Sequence, residues 1–408
     1  MQTKKLSLSN PDGSSNLIYC AAAGVFTAAL LLILQALTDQ WFFSPQPYNS
    51  YILQAQSWLE GRLDLGQNYE YLELAVYSGK YFVSFPPFPS YIMLPFVALG
   101  LLSCDGAIAF VSAVLGAVFA YRLAAEFIKD KKFALMAALL VTAGSNWLFT
   151  AVNAWVWFIA QNLAFTLTVS SLFYAIRGRA GVSFALWACA VGCRPFQIIY
   201  IAVILFLLYR AYKARQPHMT AAEMIRAHIS AVIPACCIAV SYMALNYARF
   251  GSIAEFGHNY LPEFMRVDTG QFNIEYIKQN FGNLFRLPEI SDGKIVFQSA
   301  DGFCMFIASP VLISFFAYWF GAMIRGTKEE RLALAGVMLL FWIHMVSITA
   351  HKTMGGSHYG NRYVTDALPS VFAALCFVIG KYKRGRIINA VPLACGMALN
   401  IYWVLIYF

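Results

Sequence analysis

Charged residues are scarce in this sequence. They make up 12% of the 408 residues, whereas hydrophobic residues make up 60%. Soluble domains carry about 25% charged residues, so the composition excludes an ordinary soluble protein. The apolar residues fall in long runs separated by short polar stretches. We therefore expect a protein that crosses the bilayer many times and has no soluble domain.

Several patterns of nucleotide and metal sites are also missing. Gly355, Gly356 and Gly360 lack the spacing of a phosphate-binding loop or a dinucleotide site. The nine cysteines lie mostly inside apolar runs without zinc-site spacing, and the histidines and acids form no HExxH-like motif. The sequence therefore offers no nucleotide site and no zinc motif, while the need for another divalent metal stays open.

The net charge of +9 comes from short clusters of Lys and Arg between the apolar runs. The positive-inside rule places such clusters in the cytoplasm, so this charge does not indicate nucleic-acid binding. Lys4 and Lys5 put the N-terminus inside. Alternation of the spans then puts three longer loops outside, at residues 39–89, 249–300 and 351–363.

The sequence predicts one integral membrane domain, residues 1–408, in the plasma or inner membrane. The fold class is an all-α bundle of about eleven spans, with the C-terminus outside and interfacial helices in the two long outer loops. The spans are expected near residues 17–38, 94–127, 133–151, 154–176, 180–193, 195–209, 228–248, 302–323, 332–350, 364–380 and 387–407, with basic residues such as Lys381, Lys383 and Arg384 inside.

The first outer loop carries local structure of its own. Apolar residues recur at helical spacing between 48 and 59, and Gly61 ends the run. Ser78-Gly79 predicts a turn, and the prolines of 86–89 predict a stiff start to the next helix. Acidic residues alternate with aromatic ones along this loop, which suits a group working at the edge of a bilayer.

The second outer loop contains an apolar stripe. Its members recur at three-to-four-residue spacing, which predicts a helix lying in the outer interface. They are Phe272, Ile274, Ile277, Phe281, Leu284 and Phe285.

An Arg-Pro step divides the apolar hairpin at residues 180–209. Each arm has about 14 residues and spans roughly 21 Å at 1.5 Å per residue, against a hydrocarbon core of about 30 Å. Arg194 therefore does not easily reach the outer surface. Because an arginine in hydrocarbon costs at least about 2.5 kcal/mol, we expect it to face a wet cavity or an acid. The alternative is a helix-end side chain that extends to the interface.

Three segments carry a family resemblance. The first span followed by GRLDL and ELAVYSGKYFVSFPPFPSYIMLPF, the segment NYARFGSIAEFGHNY (246–260) and the segment GNRYVTDALP (360–369) resemble polytopic glycosyltransferases of the GT-C fold. That group includes relatives of protein O-mannosyltransferases and of lipid A aminoarabinose transferases. The resemblance implies a GT-C bundle that transfers a sugar, usually with inversion, from a polyprenyl-phosphate carrier to a glycan, lipid or protein acceptor outside the membrane.

The catalytic base is not carried over directly. Many of these enzymes have an acidic pair soon after the first span, but residues 44–49 contain no acid here. A base must lie within hydrogen-bond reach of the acceptor hydroxyl, so we favour Glu73, then Asp64, then Asp39. The alternative for each is a solvated or ion-paired loop carboxylate. Tyr48 and Asn49 stand where the acidic pair is missing.

Cations of the outer face are candidates for binding the donor phosphate. Arginine offers planar, bidentate donors to phosphate oxygens, and the candidates are Arg194, Arg249 and Arg362, with Lys352 and His358 in support. For Arg249 and Arg362 the alternative is interfacial anchoring. With Tyr48 and Asn49, His258 is a candidate for orienting the acceptor.

Two other functions remain open at this stage. A transporter or flippase of lipid-linked sugars would have broken helices in paired halves, and only the Arg194-Pro195 interruption is found. A non-catalytic scaffold of the same fold is favoured by the missing acidic pair.

Overall fold

The computed structural model describes residues 13–291, 293–356, 358–380 and 385–408. Helices dominate, as they must where no water is present to satisfy backbone polar groups. The α-helices are α1 Gly13–Thr38, α2 Ser50–Leu59, α3 Phe88–Ala98, α4 Cys104–Phe127, α5 Lys131–Val141, α6 Trp147–Ala151, α7 Val156–Ile176, α8 Ala180–Val191, α9 Ile201–Arg215, α10 Ala221–His228, α11 Ile233–Phe250, α12 Pro262–Met265, α13 Ile274–Asn280, α14 Met305–Ala308, α15 Val311–Arg325, α16 Lys328–Thr349, α17 Leu368–Ile379 and α18 Gly385–Tyr407.

Two small antiparallel hairpins and five 3₁₀ segments complete the described structure. The strands are β1 Leu74–Tyr77 paired with β2 Lys80–Val83, and β3 Glu289–Ser291 paired with β4 Lys294–Val296. The 3₁₀ segments are Pro195–Tyr200, Ile229–Val232, His258–Tyr260, Phe281–Leu284 and Arg362–Ala367.

Within the described residues, eight helices are long and apolar enough to cross a membrane. Three shorter apolar helices, α3, α8 and α15, accompany them. The predicted all-helical, multi-spanning class is therefore confirmed, while the count of eleven spans stays a prediction. Lys4, Lys5, Lys381, Lys383 and Arg384, which entered the topology argument, lie outside the described residues.

Two of the expected spans are divided. The segment near 94–127 forms α3 and α4, and the segment near 133–151 forms α5 and α6. The second division has a packing reason, because α18 approaches the turn between α5 and α6. A Cβ on Gly396 of α18 would clash with the carbonyl oxygen of Gly144 in that turn. Close approach of backbones at small residues is the usual basis of helix packing in membranes.

Helix α7 forms the centre of the bundle. It is buried along almost its whole length and packs against α4, α8 and α9. Its polar side chains bond to α4, since Asn162 Nδ2 donates to the Ala109 carbonyl at 2.8 Å and Thr166 Oγ1 donates to the Ser112 carbonyl at 2.9 Å. The start of α7 is thereby held rigidly at the end of the bundle where the long loops lie.

The first loop has the local structure predicted from its sequence. The helix α2 ends at Leu59, and Gly61 follows with a φ of 75°. Ser78 and Gly79, with φ of 49° and 74°, form the turn between β1 and β2. Two consecutive positive φ values match the turn type that suits a tight hairpin.

The second loop is joined to the third. Phe272 forms an antiparallel bridge with His351, flanked by bonds from the Asn273 amide to the Ala350 carbonyl and from the Lys352 amide to the Gln271 carbonyl, both 3.0 Å. The predicted helix is present as α13 and the 3₁₀ segment after it, and its position in the membrane interface stays a prediction. It rests on α16, and Asn280 Nδ2 donates to the carbonyl of Thr349 at the end of α16 and to that of His351 just beyond it. The two loops therefore form one unit.

Replacing Gly396 by alanine is expected to lower the thermal unfolding midpoint, because the new Cβ forces α18 away from the carbonyl of Gly144. Overpacking of this kind costs about 1–3 kcal/mol. Gly336→Ala in α16 is the matched control, since its Cβ would meet nothing within 4 Å. Equal midpoints for both variants in the same detergent would contradict this packing.

Candidate active site

A cavity with two lobes lies where the three loops meet the start of α7. One lobe, of about 320 Å³, contains Glu73, and the other, of about 270 Å³, contains Arg194. We call them the Glu73 lobe and the Arg194 lobe. Six residues line both, so the two lobes adjoin each other. The shared residues are Phe85, Trp157, His258, His351, Arg362 and Tyr363.

Glu73 presents an exposed carboxylate to its lobe. It lies just before β1, and its backbone carbonyl accepts from Ser84 Oγ at 3.1 Å. The indole Nε1 of Trp157 donates to Glu73 Oε2 at 2.9 Å. Trp157 is in turn packed against Tyr48, with ring centroids 4.8 Å apart. The Trp157 indole, packed on Tyr48, therefore orients the carboxylate through Oε2. The other oxygen, Oε1, does not take part in this hydrogen bond.

Arg362 is a buried cation held by neutral groups. It is the first residue of the 3₁₀ segment before α17 and is 5% exposed. Its Nε and Nη2 donate to the Gly355 carbonyl at 3.1 and 2.8 Å, and Nη1 donates to Gln161 Oε1 at 3.1 Å. Among the described residues no carboxylate forms an ion pair with it. Its charge is thus available to an anion in the cavity.

Arg194 differs from Arg362 because its charge is neutralised. Its Nε and Nη2 donate to Asp366 Oδ2 at 3.0 and 2.8 Å, and the guanidinium lies 4.4 Å from the ring centroid of Tyr363. The side chain is 14% exposed and that of Asp366 is 1% exposed. The sequence left two alternatives for Arg194: a cavity or an acid, or a side chain that extends to the interface. The structure shows the first, because Arg194 both pairs with an acid and lines a cavity.

Two histidines stand at the junction of the lobes. Burial, together with the charges of Arg194 and Arg362, lowers the pKa of His258 to about 4 and that of His351 to about 3. Both rings are therefore neutral at pH 7. His358 is also buried, and burial lowers its pKa to about 3, but it does not line either lobe.

No protein-family model and no curated protein sequence matches this chain. Solved structures do match. ArnT from Cupriavidus metallidurans bound to undecaprenyl phosphate aligns with 92% of this chain and 62% of that chain, at a TM-score of 0.52 and 13% identity. Its apo form aligns with 90% of this chain and 61% of that chain, at 0.50 and 11% identity. The chain has the GT-C fold.

The GT-C fold confirms the fold class predicted from the sequence. This chain spans about three fifths of the length of the ArnT structures it matches. The apo oligosaccharyltransferase of Archaeoglobus fulgidus aligns with 97% of this chain and 54% of that chain, at a TM-score of 0.49 and 12% identity.

The predicted acids are separated in the GT-C fold. Glu73 lines the cavity, whereas Asp64 bonds to the Gly66 amide at 2.9 Å and pairs with Lys80 at 3.3 Å, outside both lobes. Asp39 is exposed after α1, with a φ of 54°. Of the three, Glu73 alone lines the cavity.

Of the remaining predicted residues, some line the cavity and others lie outside it. Tyr48 lines the Glu73 lobe, while Asn49 stands at the start of α2 with a buried Oδ1 that lacks a partner. Arg249 is buried on α11 and donates to the Val83 carbonyl at 3.1 Å. Lys352 lies beside the lobe, where its Nζ donates to the Glu263 carbonyl at 2.8 Å.

Sequence reasoning missed Glu263 as a residue of the site. It is the second residue of α12 and lines the Glu73 lobe. Burial together with the charge of Glu73 raises its pKa, against the effect of Lys352. His351, Trp157 and Asp366 were missed too. No local spacing links these residues, so the sequence carried no signal for them beyond the acids and histidines of the outer loops.

No group of three or more His, Cys, Asp or Glu side chains suited to a metal ion occurs in the part of the chain that the structure describes.

Replacing Asp366 by asparagine is expected to destabilise the protein by about 3–5 kcal/mol, because it leaves a buried arginine without a counter-charge. Asp64→Asn is the matched control. Its pair with Lys80 is at the surface and is worth about 1 kcal/mol or less. Chemical unfolding in mixed micelles compares the two, and a loss at Asp366 no larger than at Asp64 would contradict the structural role given to the pair.

Proposed function

We propose that the protein is a glycosyltransferase that moves a sugar from a polyprenyl-phosphate carrier to an acceptor hydroxyl in the two-lobed cavity. The observation that supports this most is that a buried cation and an oriented carboxylate line the same cavity. Arg362, a buried cation that forms no ion pair among the described residues, offers its charge to a phosphate, and Glu73 offers an oriented carboxylate to a hydroxyl. The acceptor class is a glycan, a lipid or a protein.

The charge rule places this end of the bundle outside the cytoplasm. No nucleotide sugar is supplied there, so the activated sugar arrives on a lipid. The ArnT structure that shares the fold was solved with undecaprenyl phosphate bound, which supports a carrier of the same chemistry here. The multi-pass membrane location is consistent with such a donor.

The chemistry follows from the positions of the two groups. Glu73 takes the proton of the acceptor hydroxyl while the hydroxyl oxygen attacks the anomeric carbon of the donor sugar. The bond between that carbon and the phosphate oxygen breaks, and the lipid phosphate leaves with the electron pair. Arg362 stabilises the charge that develops on the phosphate oxygens. Inversion at the anomeric carbon is the expected outcome of this single displacement.

An apolar groove offers space for the carrier's tail. It has a volume of about 500 Å³ and lies between α9, α16 and α17. These helices also lead to the cavity, since Arg194 comes before α9, His351 follows α16 and Arg362 opens the segment before α17. An apolar cavity of this kind does not hold water well, so a hydrocarbon chain suits it.

The polar side chains at the groove need no partner from a ligand. Glu126 pairs with Arg177 at 2.8 Å, and Arg210 pairs with Glu329 at 3.0 Å. Ser370 Oγ donates to the Ala367 carbonyl at 3.1 Å. The groove therefore favours an occupant without polar groups, such as an isoprenoid chain.

Replacing Glu73 by glutamine is expected to lower kcat for sugar transfer by about 10²–10⁴-fold, the usual contribution of a general base. Product formation from a panel of undecaprenyl-phosphate sugars, followed by mass spectrometry in liposomes, measures it. Asp64→Asn is the control and retains activity. Undiminished transfer in the Glu73 variant removes the base assignment. Movement of the lipid-linked sugar across the bilayer without transfer would favour a flippase instead.

Replacing Gly336 by leucine is expected to fill the groove and reduce the polyprenyl phosphate that co-purifies with the protein at least tenfold. The position tolerates a side chain, since an added Cβ meets no atom within 4 Å. Gly336→Ala is the matched control that adds one methyl group. Native mass spectrometry in mild detergent reads bound lipid directly, and equal occupancy in the two variants would place the tail elsewhere.

A further inference from the structure

His258 and His351 lie next to each other at the junction of the two lobes. Their ring centroids are 5.9 Å apart, and both residues line both lobes. The ring of Phe264 packs against both, at 5.3 and 5.5 Å, while Phe85 packs against His258 and Phe272 against His351. Aromatic contacts on several sides hold the two imidazoles in place.

The backbone assigns a different tautomer to each ring. His258 Nδ1 lies 3.3 Å from the carbonyl oxygen of Ser84, which only accepts, so Nδ1 carries the proton. His351 Nδ1 receives the backbone N–H of Thr353 at 3.2 Å, so this nitrogen is unprotonated. In a neutral imidazole the other nitrogen has the opposite role. His258 Nε2 is therefore an acceptor, and His351 Nε2 is a donor.

Both Nε2 atoms are available to a ligand. Neither forms a hydrogen bond with another group among the described residues. Neither is a fully buried atom without a partner, so each keeps some exposed surface. Both residues line the cavity. Two neighbouring residues of the cavity wall, from two different loops, thus carry an acceptor nitrogen and a donor nitrogen.

We propose that His258 and His351 bind one neutral hydroxyl group of the acceptor substrate. His258 Nε2 accepts the hydroxyl hydrogen, and His351 Nε2 donates to the hydroxyl oxygen. This assignment rests on the proposed function and narrows its acceptor to a polyhydroxylated molecule, because a second hydroxyl must reach Glu73. An ammonium group cannot accept from His351, and a carboxylate cannot donate to His258. A site built to bond a hydroxyl strongly rejects an analogue that lacks it.

Burial keeps the pair neutral, and the charges of Arg194 and Arg362 act in the same direction. Together they hold the pKa values of His258 and His351 near 4 and 3. Glu73, Glu255 and Glu263 line the same cavity, with Lys352 beside them. The tautomers therefore persist from pH 8 to 6, and hydroxyl binding is independent of pH within that range.

The first test reads the tautomers without any substrate. The full-length protein, labelled with ¹⁵N-histidine in detergent, is studied by long-range ¹H–¹⁵N NMR, with resonances assigned from His258→Gln and His351→Gln. We expect His258 in the Nδ1–H form and His351 in the Nε2–H form, with no titration from pH 8 to 6. The same tautomer in both rings, or titration of either ring in this range, overturns the proposal. His218→Gln, at an exposed residue, is the control and changes neither signal.

The second test uses methyl β-D-glucopyranoside as a hydroxyl probe and its per-O-methyl ether as the matched probe without hydroxyl hydrogens. The glucoside is expected to shift both Nε2 resonances in the wild type, and the ether neither. Each shift should weaken in the variant of the other histidine. An absent response to the glucoside, or equal responses to the two probes, overturns the proposal.

Kinetics separate this proposal from the proposed function. In His351→Gln the KM for the acceptor is expected to rise at least tenfold while kcat changes less than threefold, because the lost hydrogen bond serves binding of the acceptor. A tenfold loss of affinity corresponds to about 1.4 kcal/mol. Unchanged KM with normal transfer overturns the histidine pair alone. Glucoside binding with the expected tautomers, but no transfer from any lipid-linked sugar, supports the pair and overturns the transferase.

Discussion

The ion pair between Arg194 and Asp366 is the interaction on which the site depends. Arg194 lies directly before one 3₁₀ segment and Asp366 lies within another, and both segments adjoin apolar helices. A buried charge there is costly unless it is paired, and the ion pair supplies each charge with its partner. Asp366 takes two bonds from Arg194 through its carboxylate, and its carbonyl accepts from Tyr200 at 2.7 Å. The two 3₁₀ segments are thereby joined, and the position of Arg362 is set relative to α7 and α9.

Neutralising one arginine leaves the other with a distinct role. Arg194 is the better candidate from sequence, because it interrupts an apolar hairpin, yet its charge is balanced within the protein. Arg362 lies four residues before Asp366 and is bonded to carbonyl and amide oxygens alone among the described residues. Dipoles hold the guanidinium in place without cancelling its charge. Arg362 is therefore the cavity arginine whose charge no ion pair neutralises among the described residues. Arg194 is bound to Asp366 and contributes to the cavity wall.

The cavity is assembled from distant parts of the chain. Glu73 comes from the first loop, His258 and Glu263 from the second, and His351 from the third. The bridge between Phe272 and His351 binds the second loop to the third, and the Ser84 carbonyl connects His258 to the first. Since each loop supplies only part of the site, the chemistry requires the whole bundle to be folded.

The sequence by itself determined the membrane class, the positions of most spans and the local structure of the first loop, because hydrophobic runs, Gly61 and the Ser78-Gly79 turn act over a few residues. It also indicated that Arg194 must meet a cavity or an acid, which follows from the length of two helical arms. Tertiary structure alone decided that the acid is Asp366, 172 residues away. It also paired Asp64 with Lys80 and brought His351 and Glu263 into the cavity. These partners meet through helix packing and loop pairing, and no local spacing in the sequence encodes which side chains become neighbours across the bundle.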